Sequence, residues 1–356
     1  MLAASGTFAM DVATAIEQVR AVGAEGRGNA AATRASRQLS GLPASELPVI
    51  LAAMDGANDY ALNWLRSAAE RVAQQAVASG RALPVGALRE FLLDTRHHPR
   101  ARRYAYELVR EADPVASRAL LPRLRDDPSV ELRRDAVQVI VDSVAKAGKD
   151  EALPKLREAL AAARDIDQIE AVAKRLVDLG DKVDLRETFG WVTHWHAVAP
   201  FDNAGGAGFE RVYPPESKTD VAATYDGKAA KVAWRALVTT NDYGMLDFNK
   251  PFGALKGAAG YAMAEFVSDA SRPVEIRLGS KNGWKVWFNG KFLFGRDEYH
   301  RGVEIDQYRM PVTLEKGRNV ILVKLCQNEQ TEDWASEWEF QLRVTDALGT
   351  PIRPIR

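Results

Sequence analysis

Cysteine is almost absent. Cys326 stands alone in 356 residues, which excludes a disulfide within the chain and leaves thiolate metal sites without a second sulfur. It lies in the apolar run "NVILVKLCQN" and reads as a small buried hydrophobe. Net charge is missing as well: 48 Lys and Arg balance 48 Asp and Glu. Bulk attraction to nucleic acid or to an anionic membrane is therefore not expected. No apolar run reaches the ~18 residues of a membrane-crossing helix, so no transmembrane segment is expected either. The opening "MLAASGTFAM" is small and apolar but has no basic stretch ahead of it, so it is not a complete signal peptide. The stump of a trimmed signal and a frayed terminus both fit it. Catalytic signatures are also lacking. No Ser-His-Asp or Cys-His arrangement has a usable context, and "FDNAGGAGFE" lacks the strand-before, helix-after setting of a phosphate loop. A non-enzymatic protein is the expectation.

Aromatic residues are scarce in one half only. Six of the 29 precede Gly180. That half instead repeats a Leu-Pro pair at Leu47-Pro48, Leu83-Pro84, Leu121-Pro122 and Leu153-Pro154, with spacings of 36, 38 and 32 residues. Each pair is read as opening a helical pattern that carries a second one behind it. A period of this size marks stacked helix pairs. In the third unit, Leu120, Leu121 and Leu124 form one apolar stripe, and Val130, Leu132, Ala136, Ile140 and Val144 form the next. Pro128 breaks the helix between them, and Ser129 or Asp127 can cap the second helix. The other turns fall at Asp55-Gly56, His98-Pro99 and Asp165-Ile166, and Gly180 is a natural left-handed stop. Val12 to Val22 and Ala30 to Leu39 form an earlier pair that caps the stack.

Arg96, Arg100, Arg102, Arg103 and Arg110 crowd one stretch with His97 and His98. The sequence reading is a solvated helix face balanced by Glu107, Glu111 and Asp113, with anion binding as the lesser reading. On Leu121-Pro122, Asp127-Pro128, Arg134 and Ala136, the phrase "LLPRLRDDPSVELRRDAVQVI" resembles the HEAT-like repeat family. The resemblance implies an α-solenoid over residues 1–182 with an extended surface for protein-protein interaction; a mere spacer is the other reading.

Beyond Asp184 the pattern changes to alternation. "WVTHWHAVA", "KVAWRALV", "YAMAEFVS", "PVEIRLGS", "WKVWFNGKFLF", "MPVTLEKGRNVILVKLCQ" and "WEFQLRVTD" read as strands, separated by Asp226-Gly227, Asn282-Gly283, Asn289-Gly290 and Lys316-Gly317. Asn-Gly favours the type I′ turn, so the two Asn-Gly pairs predict two successive hairpins. Short strands at this spacing predict a β-sandwich or jelly roll over 183–356. On Gly279, Trp284 to Phe288, Asn289-Gly290-Lys291, Leu314, Gly317, Asn319 and Val323, this half resembles the galactose-binding-like jelly roll. That sandwich occurs in carbohydrate-binding modules and in the sugar-binding domain of family two glycoside hydrolases. "HAVAPFDNAGGAGFERVYPPE" is similar to the entry segment of such sandwiches in environmental bacteria. Carbohydrate is the ligand the resemblance implies, and the periplasmic or extracellular space is the favoured location. The alternative is a scaffold in which both domains bind other proteins.

Sugar recognition needs an aromatic platform and planar polar groups. Trp334, Tyr243, Tyr299 and His300 are the loop candidates, with Asp333 among the polar ones. Trp334 is expected to be exposed, and Trp338 and Trp287 to be core. Asp202 and Asn203 are the candidates for a structural calcium, which sandwiches of this kind often hold through oxygen ligands; no other cofactor is expected. His194 and His196 share one face of a strand, opposite Trp195. If the tryptophan face is the core, they point to solvent.

Overall fold

The computed structural model describes residues 11–355, so the opening "MLAASGTFAM" lies outside the described residues. The chain divides into two compact units, one ending at Val172 and one beginning at Ala173. Helices build the first and antiparallel sheets the second.

The first unit runs α1 (Val12–Arg20), α2 (Asn29–Leu39), α3 (Leu47–Ala52), α4 (Asp59–Ala78), α5 (Val85–Leu93), α6 (Pro99–Ala112), α7 (Pro114–Leu120), α8 (Val130–Ser143) and α9 (Lys149–Ala162), and the dividing point falls within α10 (Ile166–Asp178). Neighbours in sequence pack as pairs, α1 on α2, α3 on α4 and α5 on α6, and α2 in turn packs on α4. Small apolar residues at helical spacing allow this; α4 buries Ala61, Leu65, Ala68, Ala69, Val72 and Ala76 on one face. The start of α4 also ties one pair to the preceding one. Asn58 caps α4 by accepting from the Ala61 N–H (3.0 Å) and donates its side-chain N–H to the Val22 carbonyl (2.8 Å).

Two sequence expectations are corrected here. Leu47 and Pro84 stand at the starts of α3 and α5, but Leu121-Pro122 falls in a 3-10 turn after α7, and Pro154 lies inside α9. The pair marks a place in the repeat rather than a helix start. The basic stretch is not simply a solvated face, because Arg102 is fully buried. It grips the Asp127 carboxylate with two nitrogens (2.8 and 2.5 Å) and donates Nε–H to the Leu92 carbonyl (2.8 Å). A bidentate pair with the Nε–H also bonded is the arrangement that makes a buried arginine tolerable.

The second unit carries α11 (Leu185–Phe189) and twelve described strands: β1 (His194–Asp202), β2 (Thr224–Asp226), β3 (Lys231–Ala233), β4 (Arg235–Val238), β5 (Leu246–Asp247), β6 (Ala258–Ser268), β7 (Arg272–Ser280), β8 (Gly283–Phe288), β9 (Lys291–Arg296), β10 (Tyr308–Leu314), β11 (Gly317–Gln327) and β12 (Glu339–Thr345). One sheet has the order β4-β1-β6-β11-β8-β9 and the other β10-β7-β12-β5; β2 and β3 form a separate ribbon. The two larger sheets share one apolar core. Alternate residues supply it: Val274, Ile276 and Leu278; Phe340, Leu342 and Val344; Ile321, Val323 and Leu325; Trp284, Val286 and Phe288. Trp338 and Trp195 are buried in it, while His194 and His196 on the other face of β1 are exposed.

The six-stranded sheet is covered on its outer face too. Tyr261, Met263, Trp287, Leu322 and Cys326 pack there under Phe209, Tyr213 and Tyr225. Burial on both faces explains why β11 reads as a near-continuous apolar run. It also makes Lys324 the exception in that run. Its ammonium is fully buried, donating to the carbonyls of Phe209 (3.0 Å) and Arg211 (2.7 Å) and to Glu216 (2.8 Å). Burial pushes the Cys326 thiol up to about 12, which leaves it inert at neutral pH.

Of the two expected hairpins, one forms. Asn289 (φ 49°) and Gly290 (φ 78°) both lie in the left-handed region between β8 and β9. The Asn289 Oδ1 also accepts from the Val320 N–H (2.8 Å). Asn282-Gly283 instead carries the chain from β7 in one sheet to β8 in the other. An Asn-Gly pair between two strands reads the same in sequence whether those strands pair or part.

On the outer side of the four-stranded sheet, Asp306 binds Arg343 (2.7 and 2.5 Å) and Arg277 (2.6 Å), all three almost fully buried. Arg343 also donates to the Phe189 carbonyl (3.2 Å), which fastens α11 to β12. Burial opposes the charge on Asp306, but hydrogen bonds and charge from Arg343 and Arg277 outweigh it and hold the carboxyl below its ordinary value. Stability from such a group is present above its unfolded pKa of about 3.9 and is lost as pH falls through the lower folded value.

These contacts predict two outcomes. Asn289→Val is expected to cost about 1–2 kcal/mol in urea unfolding, because a β-branched residue resists positive φ. An unchanged midpoint would contradict the turn assignment. Asp306→Asn is expected to cost about 3–5 kcal/mol at pH 7 by leaving the buried Arg343 without a counter-charge, while Arg277 keeps Glu275 (2.7 Å). The gap from wild type should narrow as pH falls below about 4, where the unfolded carboxyl binds a proton that the native one still resists; a gap constant with pH would show that its charge is not what stabilises the fold.

Candidate functional site

β11 ends at Gln327, and the polar groups freed there organise one end of the second unit. Gln327 is almost fully buried. Its side-chain amide donates to the carbonyls of Ala335 and Glu337 (3.0 Å each), and its Oε1 accepts from Asn282 (3.2 Å). Its backbone carbonyl accepts from Asn203 (3.1 Å). Asn282 completes the set, donating to the Glu337 carbonyl (3.0 Å) and accepting from the Glu339 N–H (3.0 Å). Three buried amides thus hold the β1 exit, the β7–β8 link and the segment 328–338 together. Unpaired buried amides cost about 1–3 kcal/mol each, so this lattice is strongly specified.

Over this base stand most of the candidates chosen from sequence. The Trp334 side of the site is open: Trp334 is 56% exposed. His300 meets its ring edge-on, with centroids 5.3 Å apart. Tyr299 lies beneath, accepting from Asn203 (3.3 Å), and burial raises its pKa. His300 has positive φ (59°), and its N–H donates to the Lys281 carbonyl. Asp333 is exposed beside Trp334. Tyr243 is elsewhere, its ring 6.2 Å from that of Phe189, next to Gly244, which packs on Trp191.

The tautomer of His300 can be read from its neighbours. Asn328 Oδ1 accepts from the Gln330 N–H (3.2 Å), which fixes that atom as an acceptor. It lies 2.9 Å from His300 Nε2, so Nε2 carries the proton and, in the neutral ring, Nδ1 is the lone-pair acceptor. That Nδ1 is buried and has no partner in the protein. Glu337 Oε2 is buried and unpartnered as well, while its Oε1 accepts from Lys281 (3.0 Å). Burial opposes ionisation of Glu337, but the Lys281 bond prevails and holds its carboxyl below the ordinary value. The site therefore offers an open indole face and two acceptors without donors. Of the residues singled out in the sequence, Trp334, His300, Tyr299, Asp333 and Asn203 meet at this end; Glu337, Lys281, Asn328 and Gln327 were not among them. The available signal was Gln327 itself, a polar residue closing a strand buried on both faces.

The pair proposed for calcium has other occupations. Asn203 is fully buried and donates to Gln327 and Tyr299; its Oδ1 has no partner. The Asp202 carboxylate lies 3.5 Å from the Lys228 ammonium, which also donates to the carbonyls of Lys256 (3.1 Å) and Gly257 (2.5 Å). A lysine ammonium already sits among these oxygens, and a single carboxylate is a poor set for a divalent ion that takes six to eight oxygens. Among the described residues, no three His, Cys, Asp or Glu converge as a metal group. No described helix is long and apolar enough to cross a membrane.

No family model matches the sequence, and no curated protein does. Among solved structures, an anti-sigma factor domain-containing protein matches 34% of this chain and 40% of its own, with 13% identity and a TM-score of 0.25. A protein of the same description from Clostridium clariflavum matches 46% and 44%, with 12% identity and a TM-score of 0.26. A beta-glucosidase from Kluyveromyces marxianus in complex with glucose matches 45% and 17%, with 11% identity and a TM-score of 0.27. The chain thus spans less than half the length of each, and at these scores the likeness fixes neither fold nor function.

Gln327→Ala is expected to destabilise the second unit by about 1–3 kcal/mol, since it removes the bonds to Asn282, the Asn328 N–H and two carbonyls, although Asn282 still reaches the Glu337 carbonyl and Lys256 the Ala335 carbonyl. Urea unfolding followed by tryptophan fluorescence reads this. A loss under about 1 kcal/mol would mean that water replaces the amide at no cost.

Proposed function

We propose that this chain is a non-enzymatic binding protein whose second unit, a galactose-binding-like β-sandwich, recognises carbohydrate at the Trp334 end. The observation that carries the reading is the exposed Trp334 ring beside two buried, unpartnered acceptors, His300 Nδ1 and Glu337 Oε2. An indole face stacks on the apolar side of a sugar ring, and a small rotation of His300 or Glu337 brings an acceptor that lacks a donor to a hydroxyl of that sugar. An exposed tryptophan without a ligand is an apolar liability, which also supports a contact there. In this reading Trp334 is the platform, His300 and Glu337 orient the hydroxyls, and Tyr299 and Asn203 support His300 from below. Asp333 lies at the rim. Tyr243 has no part in the site.

The first unit is proposed as a HEAT-like array that serves as scaffold. The steps between its helices support this. Arg66 of α4 binds Glu107 of α6 (3.1 Å), Arg103 of α6 binds Asp135 of α8 (2.5 Å), and Arg134 of α8 binds Asp167 of α10 (2.6 Å). A contact recurring from one helix pair to the next is the nearest-neighbour logic of a repeat array.

A glycan array probed with the full-length protein tests the function. Trp334→Ala should keep the melting temperature and reduce retained signal at least about tenfold, the loss expected for a stacked indole. Signal unchanged in the variant, or a large fall in its stability, would contradict the platform role.

A further inference from the structure

The ladder of arginine–carboxylate contacts has a step where it does not form. Arg103 and Arg134 stand five residues after His98 and Ser129, the residues that cap α6 and α8. The same place holds Asn63 in α4 and Thr33 in α2, counted from Asn58 and Gly28; α4 makes its step with Arg66, eight residues after Asn58, where α2 has Ser36. Grooves lie at more than one step, but the one between α4 and α6, of about 680 Å³, is lined by Glu70, Glu107 and Glu111, whereas the α2–α4 groove, of about 480 Å³, has no guanidinium–carboxylate bridge and no carboxylate in its walls. Thr33, Ser36, Arg37, Asn63, Ser67 and Arg71 line it, with the half-buried Trp64 as its aromatic wall.

The groups in this groove are donors without acceptors. Among the described residues no carboxylate reaches Arg37 or Arg71, although Arg66 on the same helix as Arg71 is paired twice over, with Glu70 and Glu107. Among the described residues the hydroxyls of Ser36 and Ser67 and the side-chain amide of Asn63 have no protein partner either. Thr33 donates to the Asn29 carbonyl (2.8 Å), so its oxygen lies in a wall that needs no further donor. No acidic residue lines the groove.

We infer that the α2–α4 groove is a binding site for an oxyanion, a phosphate or carboxylate group held between Arg37 and Arg71. The guanidinium fork matches both anions in a bidentate way. Ser36, Ser67 and Asn63 supply neutral donors to the remaining oxygens. The groove is of ordinary ligand size, and Trp64 gives an apolar surface for whatever carries the anion. The site is independent of the carbohydrate reading, since it uses no residue of the second unit.

Trp64 is the only tryptophan ahead of Trp191, so its indole N–H is a local reporter in the full-length protein, assigned by its loss in Trp64→Phe. Titration with sodium phosphate should move that resonance to saturation, and sodium chloride at matched ionic strength should not. An acetylated tetraglutamate peptide is the second probe. Saturation tighter with the peptide than with phosphate places the anion on a polypeptide, and the reverse order places it on a free phosphate; either supports the site. Arg37→Gln with Arg71→Gln should weaken binding at least tenfold without lowering the melting temperature. Ser67→Glu, which puts a carboxylate into the groove, should do the same. Absence of a saturable shift with both probes, an equal shift with chloride, or full binding in both variants would overturn the inference.

Discussion

The Trp334 end of the second unit depends on the need to pair the buried amide of Gln327. β11 is buried on both faces, so its last residue has no water to turn to. Its side chain reaches Asn282, Ala335 and Glu337, and its carbonyl reaches Asn203. Separated stretches of chain meet because those donors and acceptors must be satisfied. Trp334 is carried on one of the stretches so fixed, and His300, between β9 and β10, is tied to two of them through the Lys281 carbonyl and Asn328. Their positions are consequences of a buried lattice rather than of loop packing, and a site on a rigid base loses little entropy when it binds.

The same principle runs through the rest of the molecule with other residues. Arg102 is buried because Asp127 and the Leu92 carbonyl use its donors. Lys324 is buried because Glu216 and two carbonyls surround it. Asp306 is buried between two arginines. Each is a charge inside the fold and each fastens a segment that lacks regular pairing. The turn at 126–129, the cover segment 209–216 and the loop before β10 are held this way. Such pairs add less net stability than apolar residues would, but removing one partner is costly, which makes them effective at specifying a single arrangement.

Much of the architecture was legible in the sequence because it rests on periodicity. Helical spacing up to Asp178 and alternation beyond His194 both appear where expected, and so does the left-handed turn at Asn289-Gly290. The failures share a cause, which is that sequence neighbours do not reveal distant partners. Asn282-Gly283 has the form of a hairpin turn because sequence does not say whether two consecutive strands join the same sheet. Pro154 has the form of a helix start because its Leu-Pro pair keeps the repeat, whereas the helix begins at Lys149. The repeat resemblance singles out Arg134, yet Arg133 donates to the Asp127 carbonyl (2.9 Å) while Arg134 reaches Asp167. At the site, the aromatic candidates were visible as exposed types in polar surroundings. Glu337 and Lys281 were not, because an ion pair between residues 56 apart leaves no local trace.

The central claim is that Trp334, with the acceptors beside it, is where a sugar rests. Hydroxyl-radical footprinting of the full-length protein, with and without a panel of soluble polysaccharides, tests it most directly. The account predicts that at least one polysaccharide protects Trp334 strongly and leaves Tyr243 unchanged. Protection centred on Tyr243, or none at Trp334 from a polysaccharide that the protein demonstrably binds, would contradict it.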